Sequence, residues 1–308
     1  MNELKSIMEK FVASGWKLIS APAQAWLEGK ADQEKLLEAI RQADQECGSC
    51  GCELDPLYKR ALELLQAKET ELEIIPLPLL FEMGEMQFYV YPTVLKYGLE
   101  LTLIDAGYPG FLPLIEKVFE EKGLDIRRLR QIVLTHHDHD HMGAVKALVE
   151  KYPDIQVKCS EEQFPYVLGW KKSLRLEQAE QKGADPDFLQ MLRSVEHPAV
   201  AQMIQDGEEI YPGVTVLLTP GHMPGHLSVY AASQKTLISG DALVAENGIL
   251  AIADAAFVLD PETEIETLKK FLLLDLETII CFHGGKYTSG HMKEELETMI
   301  KKGYSHEG

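Results

Sequence analysis

Apolar positions along the chain follow two regimes. Up to about residue 70 they recur at helical spacing between charged residues, as at Leu57, Ala61, Leu64 and Leu65. This pattern predicts helices over Leu4 to Leu18, Pro22 to Gln45 and Leu57 to Ala67, with Pro22 in a first helical turn, where its missing N–H costs nothing. From about residue 72 the apolar residues gather into short β-rich runs: Leu72 to Leu77, Phe88 to Tyr91, Leu99 to Ile104, Ile132 to Thr135, Val214 to Leu218, Lys235 to Asp241 and Thr278 to Phe282. Helical patterns at Phe111 to Lys122 and Met142 to Tyr152 alternate with them, which points to a layered α/β domain. The chain thus divides into a helical N-terminal extension, 1–70, and an α/β domain, 71–308. Within the latter, residues 160–206 form a mostly helical insertion with aromatic residues near its start, Phe164, Tyr166 and Trp170. Such a segment either caps a site or packs on the sheet as a helical connection.

The β-rich runs end in polar corners. Ile132-Val133-Leu134 leads into Thr135-His136-His137-Asp138-His139-Asp140-His141, six consecutive His or Asp residues after Thr135. The next runs end in Thr219-Pro220-Gly221-His222-Met223-Pro224-Gly225-His226, in Gly240-Asp241 and in Phe282-His283. Leu99 to Ile104 leads into Asp105-Ala106-Gly107. Of ten histidines, seven stand at these corners. Strand ends along one sheet edge converge in space, so separate corners can build one site. Neutral imidazole and carboxylate are ligands that a borderline cation such as zinc takes, which makes a metal site the reading of this pattern. His197 reads as an ordinary turn residue.

A second cluster, Cys47-Gly48-Ser49-Cys50-Gly51-Cys52, puts three thiols into six residues. It could wrap a soft metal, form a redox-active disulfide or be a free-thiol loop, and no fourth ligand stands nearby in the sequence. The five cysteines do not resemble a secreted disulfide framework. The N-terminus lacks a basic region followed by an apolar core, and no apolar run reaches membrane-spanning length, so the expected location is cytoplasmic. The net charge of −19 disfavours nucleic-acid backbones and anionic lipid as partners and leaves a small-molecule substrate.

These motifs in this order resemble the metallo-β-lactamase-fold hydrolase superfamily, whose pattern is His-x-His-x-Asp-His, then a distal His, an Asp and a final His. His136, Asp140 and His141 match the first motif, and His222, Asp241 and His283 match the rest; Asp105-Ala106-Gly107 matches the early Asp-x-Gly. The resemblance covers roughly residues 72 to 290. It implies a four-layer αβ/βα sandwich holding two divalent metal ions at one edge. Asp138 stands where the family usually has its second His, a variant that a subset of the superfamily carries.

The resemblance implies that His136, Asp138 and His222 hold one metal, that Asp140, His141 and His283 hold the other, and that Asp241 bridges them. Zinc is the favoured ion, with iron or manganese as alternatives, since an added carboxylate makes the site harder. A water activated between the metals would attack an ester, thioester, lactone or amide carbonyl, with Asp140 orienting it and His226 as a further catalytic candidate. His137 and His139 are expected beside the ligands as pocket or supporting residues. Only 25 residues follow His283, too few for the helical glutathione-binding domain of glyoxalase II-like enzymes. Two rivals stand beside the hydrolase: a di-iron oxidoreductase of the same fold, and a metal-binding module without catalysis. The N-terminal helices could pack on the core, make a homodimer contact or shape the pocket mouth.

Overall fold

The computed structural model describes residues 2–48, 51–69, 71–84 and 86–304. The chain separates into two compact units, Met1–Leu72 with Tyr97–Leu99, and Glu73–Lys96 with Glu100–Gly308.

The first unit contains α1 (Asn2–Ala13), α2 (Lys17–Leu27), α3 (Gln33–Cys47) and α4 (Asp55–Glu69). Their apolar stripes meet in a core that includes Met8, Phe11, Ile19, Leu36, Ile40, Tyr58 and Leu65. The long helices expected here break where side chains offer the backbone other partners. The Ser14 hydroxyl donates to the Phe11 carbonyl at 2.6 Å and accepts from Trp16 N–H at 3.2 Å, which ends α1. Asp32 caps a new helix by accepting from Lys35 N–H. Pro22 consequently lies inside α2, where it cannot donate to the carbonyl one turn back, and not in a first turn.

After α4, β1 (Leu72–Pro76), the β2 (Leu79–Met83) and β3 (Met86–Val90) hairpin, β4 (Thr93–Tyr97) and β5 (Glu100–Ile104) precede α5 (Leu112–Glu121). Then come β6 (Leu129–Val133), α6 (His139–Met142), α7 (Val145–Lys151) and β7 (Gln156–Cys159). The insertion holds α8 (Phe164–Val167), α9 (Leu174–Gln181), α10 (Pro186–Arg193) and β8 (Gln202–Met203). The remainder is β9 (Glu209–Tyr211), β10 (Val214–Leu218), β11 (Leu227–Ala231), β12 (Thr236–Gly240), the β13 (Val244–Glu246) and β14 (Ile249–Ala251) hairpin, α11 (Pro261–Phe271), β15 (Thr278–Cys281), β16 (Gly285–Thr288) and α12 (Met292–Lys302).

Two six-stranded sheets form, in the orders β1-β4-β5-β6-β7-β8 and β16-β15-β12-β11-β10-β9. Ile115, Phe119, Val145 and Leu148 of α5 and α7 pack into the core of the first sheet, and Leu268, Phe271, Met292 and Leu296 of α11 and α12 into that of the second. The fold is the αβ/βα arrangement expected. The parallel pairing of β5 with β6, β6 with β7 and β12 with β15 carries the C-terminal ends of several strands to common edges, where the polar corners lie. The helical insertion also contains a strand: β8 joins β7 through Lys158↔Gln202 and Cys159↔Met203, too short a pairing to leave a sequence pattern. Among the described residues no helix is long and apolar enough to cross a membrane.

Candidate metal centre

Asp105 follows β5 with φ at +60°, a conformation that costs a non-glycine residue energy and marks a constrained site. Its buried carboxylate accepts from Thr135 N–H (2.8 Å) through Oδ1, and from the Thr135 hydroxyl (2.8 Å) and His141 Nδ1–H (2.8 Å) through Oδ2. The end of β5 thereby fixes the corner after β6 and turns His141 Nε2 inward. His136 Nδ1 lies 3.0 Å from the Thr135 hydroxyl, whose proton goes to Asp105. The imidazole therefore donates there and keeps its Nε2 lone pair for the interior. Gly143 closes the corner: a Cβ there would stand 2.2 Å from Pro109 N, so only glycine lets the two loops pass.

Two groups of donor atoms result, each with all members within 4.8 Å of one another: Asp140, His141, Asp241 and His283, and His136, His222 and Asp241. Asp241 Oδ2 lies 3.3 Å from His141 Nε2, 3.6 Å from His222 Nε2 and 3.5 Å from His283 Nε2, so it belongs to both. His283 Nε2 also lies 3.2 Å from Asp140 Oδ2. His136 Nε2, His141 Nε2 and Asp241 Oδ1 are buried without a hydrogen-bond partner. Buried polar atoms rarely stay unsatisfied, and inward-facing lone pairs on imidazole and carboxylate are what a cation requires. The residues present fit a metal site.

The charges of the cluster agree. Burial opposes ionisation of Asp140, but the neighbouring His141, His139 and His283 outweigh it and hold the carboxyl well below its usual range. Burial likewise disfavours charge on Asp241, and His141 and His283 overcome it. In return, burial works against protonation of His283, yet Asp241 and Asp140 push it up to about 10. His141 is raised in the same way, by Asp241 and Asp105 against its burial. The carboxylates draw positive charge into the cluster, and a cation would take the place of those protons.

Asp138 has a different place from the other expected ligands and belongs to neither donor group. Its Oδ2 accepts from Arg175 Nε–H at 3.0 Å and Nη2–H at 2.8 Å, while lying 3.5 Å from His136 Nε2 and 3.6 Å from His222 Nε2. Arg175 comes from α9, in the insertion, and also donates to the Phe257 carbonyl at 2.8 Å. Burial penalises the Asp138 charge, and Arg175 together with His136 and His222 outweighs it, keeping it ionised far below the usual carboxylate range. The strongly charged run from Leu174 was the only sequence signal of Arg175, and nothing in it separates this arginine from its solvated neighbours.

His226, a catalytic candidate by sequence, has no nitrogen left for chemistry. Its Nε2 accepts from Asp241 N–H at 3.1 Å, so its Nδ1–H donates toward Thr219 O at 3.1 Å and Oγ1 at 2.9 Å. Fully buried, it is held neutral, well below its usual pKa. His226 positions Asp241. A residue that sequence reasoning missed, Glu264 of α11, reaches the same region: Oε2 accepts from His222 N–H, and burial raises its pKa to about 9.

His137 and His139, on either side of Asp138, line a cavity of about 340 Å³ with Tyr166, Lys171, Lys172 and Arg193 of the insertion. His137 Nε2 accepts from Leu174 N–H (3.2 Å) and its Nδ1–H donates to Gln163 Oε1 (2.6 Å), with the ring stacked on Tyr166. His197 lines the same cavity and donates to the Val167 carbonyl at 3.1 Å. In the first unit, Cys47 and Cys52 come together with Asp55, while Cys50 lies outside the described residues.

The sequence signature of the Metallo-beta-lactamase superfamily matches residues 87–283. The chain is 26% identical over 216 residues to the "Probable metallo-hydrolase YflN" of Bacillus subtilis (strain 168), covering 65% of this chain and 81% of that protein. It is 34% identical over 152 residues to the "Uncharacterized protein YobT" of the same organism, covering 49% of this chain and 60% of that one. Its fold is similar to the crystal structure of the metallo-beta-lactamase family protein TTHA1429 from Thermus thermophilus, with a TM-score of 0.59, 22% identity, and coverage of 74% of this chain and 78% of that one.

Proposed function

Because this chain belongs to the metallo-beta-lactamase superfamily, we propose that it is a metal-dependent hydrolase in which Asp241 would help to hold each of two cations. The observation that carries this reading is the membership of Asp241 in both donor groups, a four-residue set and a three-residue set within one buried cluster. Zinc suits the imidazole and carboxylate donors best, and iron or manganese fit them next. When bound, such cations supply Lewis acidity that brings the ionisation of a water near neutral pH and stabilises charge on a carbonyl oxygen.

The chain's own residues supply the rest. Asp140, kept ionised, directs Oδ2 toward His283 and Oδ1 toward His139 Nδ1 at 3.4 Å. It can thus orient a nucleophilic water, hold its proton and pass it to a leaving group on the cavity side. His139 lines the cavity and stands next to that oxygen. The volume of about 340 Å³ suits a small molecule. Lys171, placed over the Tyr166 ring, with Lys172 and Arg193 around Glu180, gives the wall an excess of positive charge in an otherwise acidic protein. This favours small esters, thioesters, lactones or amides bearing an anionic group.

The test is hydrolysis of a panel of these four carbonyl classes by zinc-loaded protein, beside His222→Ala and Asp140→Asn. Turnover of at least one class that both variants lower by 100-fold or more supports the reading. Absence of turnover across the panel with zinc, iron and manganese contradicts it.

A further inference from the structure

The turn from α3 to α4 carries chemistry that the His/Asp cluster does not use. Cys47 closes α3, and Cys52 precedes Asp55, the first residue of α4. Cys47 Sγ and Cys52 Sγ are 3.8 Å apart, and Cys52 Sγ is 3.5 Å from Asp55 Oδ1. All three donors lie within 4.8 Å of one another. Sulfurs bound about 2.3 Å from a tetrahedral zinc stand about 3.8 Å apart, and a carboxylate oxygen at about 2.0 Å stands about 3.5 Å from each sulfur. A disulfide would need its sulfurs at about 2.05 Å. The two separations are therefore those of a zinc tetrahedron's edges. Thiol hydrogen bonds keep the same spacing while protons occupy the sulfurs.

The backbone prepares the carboxylate. Gly51 N–H donates to Asp55 Oδ2 at 2.6 Å, which leaves Oδ1 on the sulfur side. Gly51 adopts φ +75°, a conformation that a side chain would strain. We propose that Cys47, Cys52 and Asp55 supply three ligands of a separate site for a soft divalent cation such as zinc. Binding releases two thiol protons to solvent, involves no electron transfer, and ties the end of α3 to the start of α4. Its thiolates distinguish it from the harder His/Asp cluster, which contains no sulfur.

Cobalt(II) is the probe, because thiolate ligation gives a near-ultraviolet charge-transfer band that His/Asp ligation does not. The full chain, kept reduced, is titrated as wild type, as His136→Ala/His283→Ala and as Cys47→Ser/Cys52→Ser. The band is expected in the first two and absent from the third, which should bind one ion fewer. Asp55→Asn, which leaves both thiols in place, should keep the band and weaken binding about tenfold. In the wild type, zinc should slow iodoacetamide labelling of Cys47 and Cys52 at least tenfold. No band in the wild type, a band that survives the double serine substitution, or a Cys47–Cys52 disulfide that persists under reductant would overturn the proposal.

Discussion

Arg175 donates through both Nε and Nη2 to a single oxygen of Asp138, at 3.0 and 2.8 Å, with both side chains buried. The pair is neutral as a whole, like the imidazole that the superfamily usually places at position 138. A substitution that looks from the sequence like an added negative charge is offset by a cation delivered from the insertion. Arg175→Met should leave the Asp138 carboxylate buried and unpaired, at a cost of roughly 3–5 kcal/mol to the metal-free protein. Urea unfolding would measure this loss, and adding Asp138→Asn to the same chain should recover much of it. Equal unfolding midpoints for wild type and Arg175→Met would refute the pairing.

Asp105 holds His141 Nδ1–H and the Thr135 corner together. Asp105→Asn should keep the size of the side chain yet weaken metal binding about 10–100-fold, as loss of a carboxylate behind a ligating histidine does. Competition with a chromophoric chelator gives the affinity directly.

Glu264 sets a pH dependence with a definite sign. Its carboxyl is raised from 4.5 to about 9 by burial, with the Asp241 and Asp260 charges adding to the effect against the hydrogen bond from His222 N–H. A raised acid contributes stability that is fully present below its unfolded pKa and is lost as pH rises toward the folded value. Between pH 4.5 and about 9 the unfolded state releases this proton and the folded state keeps it. Stability should therefore fall across that window by up to about 1.4 kcal/mol per pH unit from this group. Glu264→Gln should flatten the slope by one proton, read from urea midpoints across the range.

His226 acts through Asp241, whose N–H it accepts. His226→Gln should lower metal content and turnover together while leaving the apparent pKa values of kcat/KM in place. A changed pH profile at full metal content would instead make His226 an acid or base in the reaction.

The parts of this protein that were legible in its sequence share a physical origin. Strands of four or five residues that lead into His or Asp leave a pattern, because burial makes the run apolar and ligation makes the corner polar. Asp105, His136, Asp140, His141, His222, Asp241 and His283 were all visible in that way. What escaped depends on neighbours far along the chain. Arg175 is one charged residue among many until folding brings it to Asp138, 37 residues away. Glu264 looks like an ordinary position in an amphipathic helix, yet it is fully buried. His226 occupies a ligand-like motif, but only its hydrogen bonds to Asp241 and Thr219 identify it as a support. The breaks at Ser14 and Asp32 turned on local side-chain bonds that competed with helical periodicity.

The proposed function requires that one buried cluster hold two cations through Asp241. Metal content by mass spectrometry, measured in the Cys47→Ser/Cys52→Ser background so that only the His/Asp cluster is counted, tests it most directly. The parent should bind two divalent ions per chain, His283→Ala and His222→Ala should each lose one, and Asp241→Ala should lose both. Retention of both ions by Asp241→Ala, or no bound metal in the parent after reconstitution, would contradict the account.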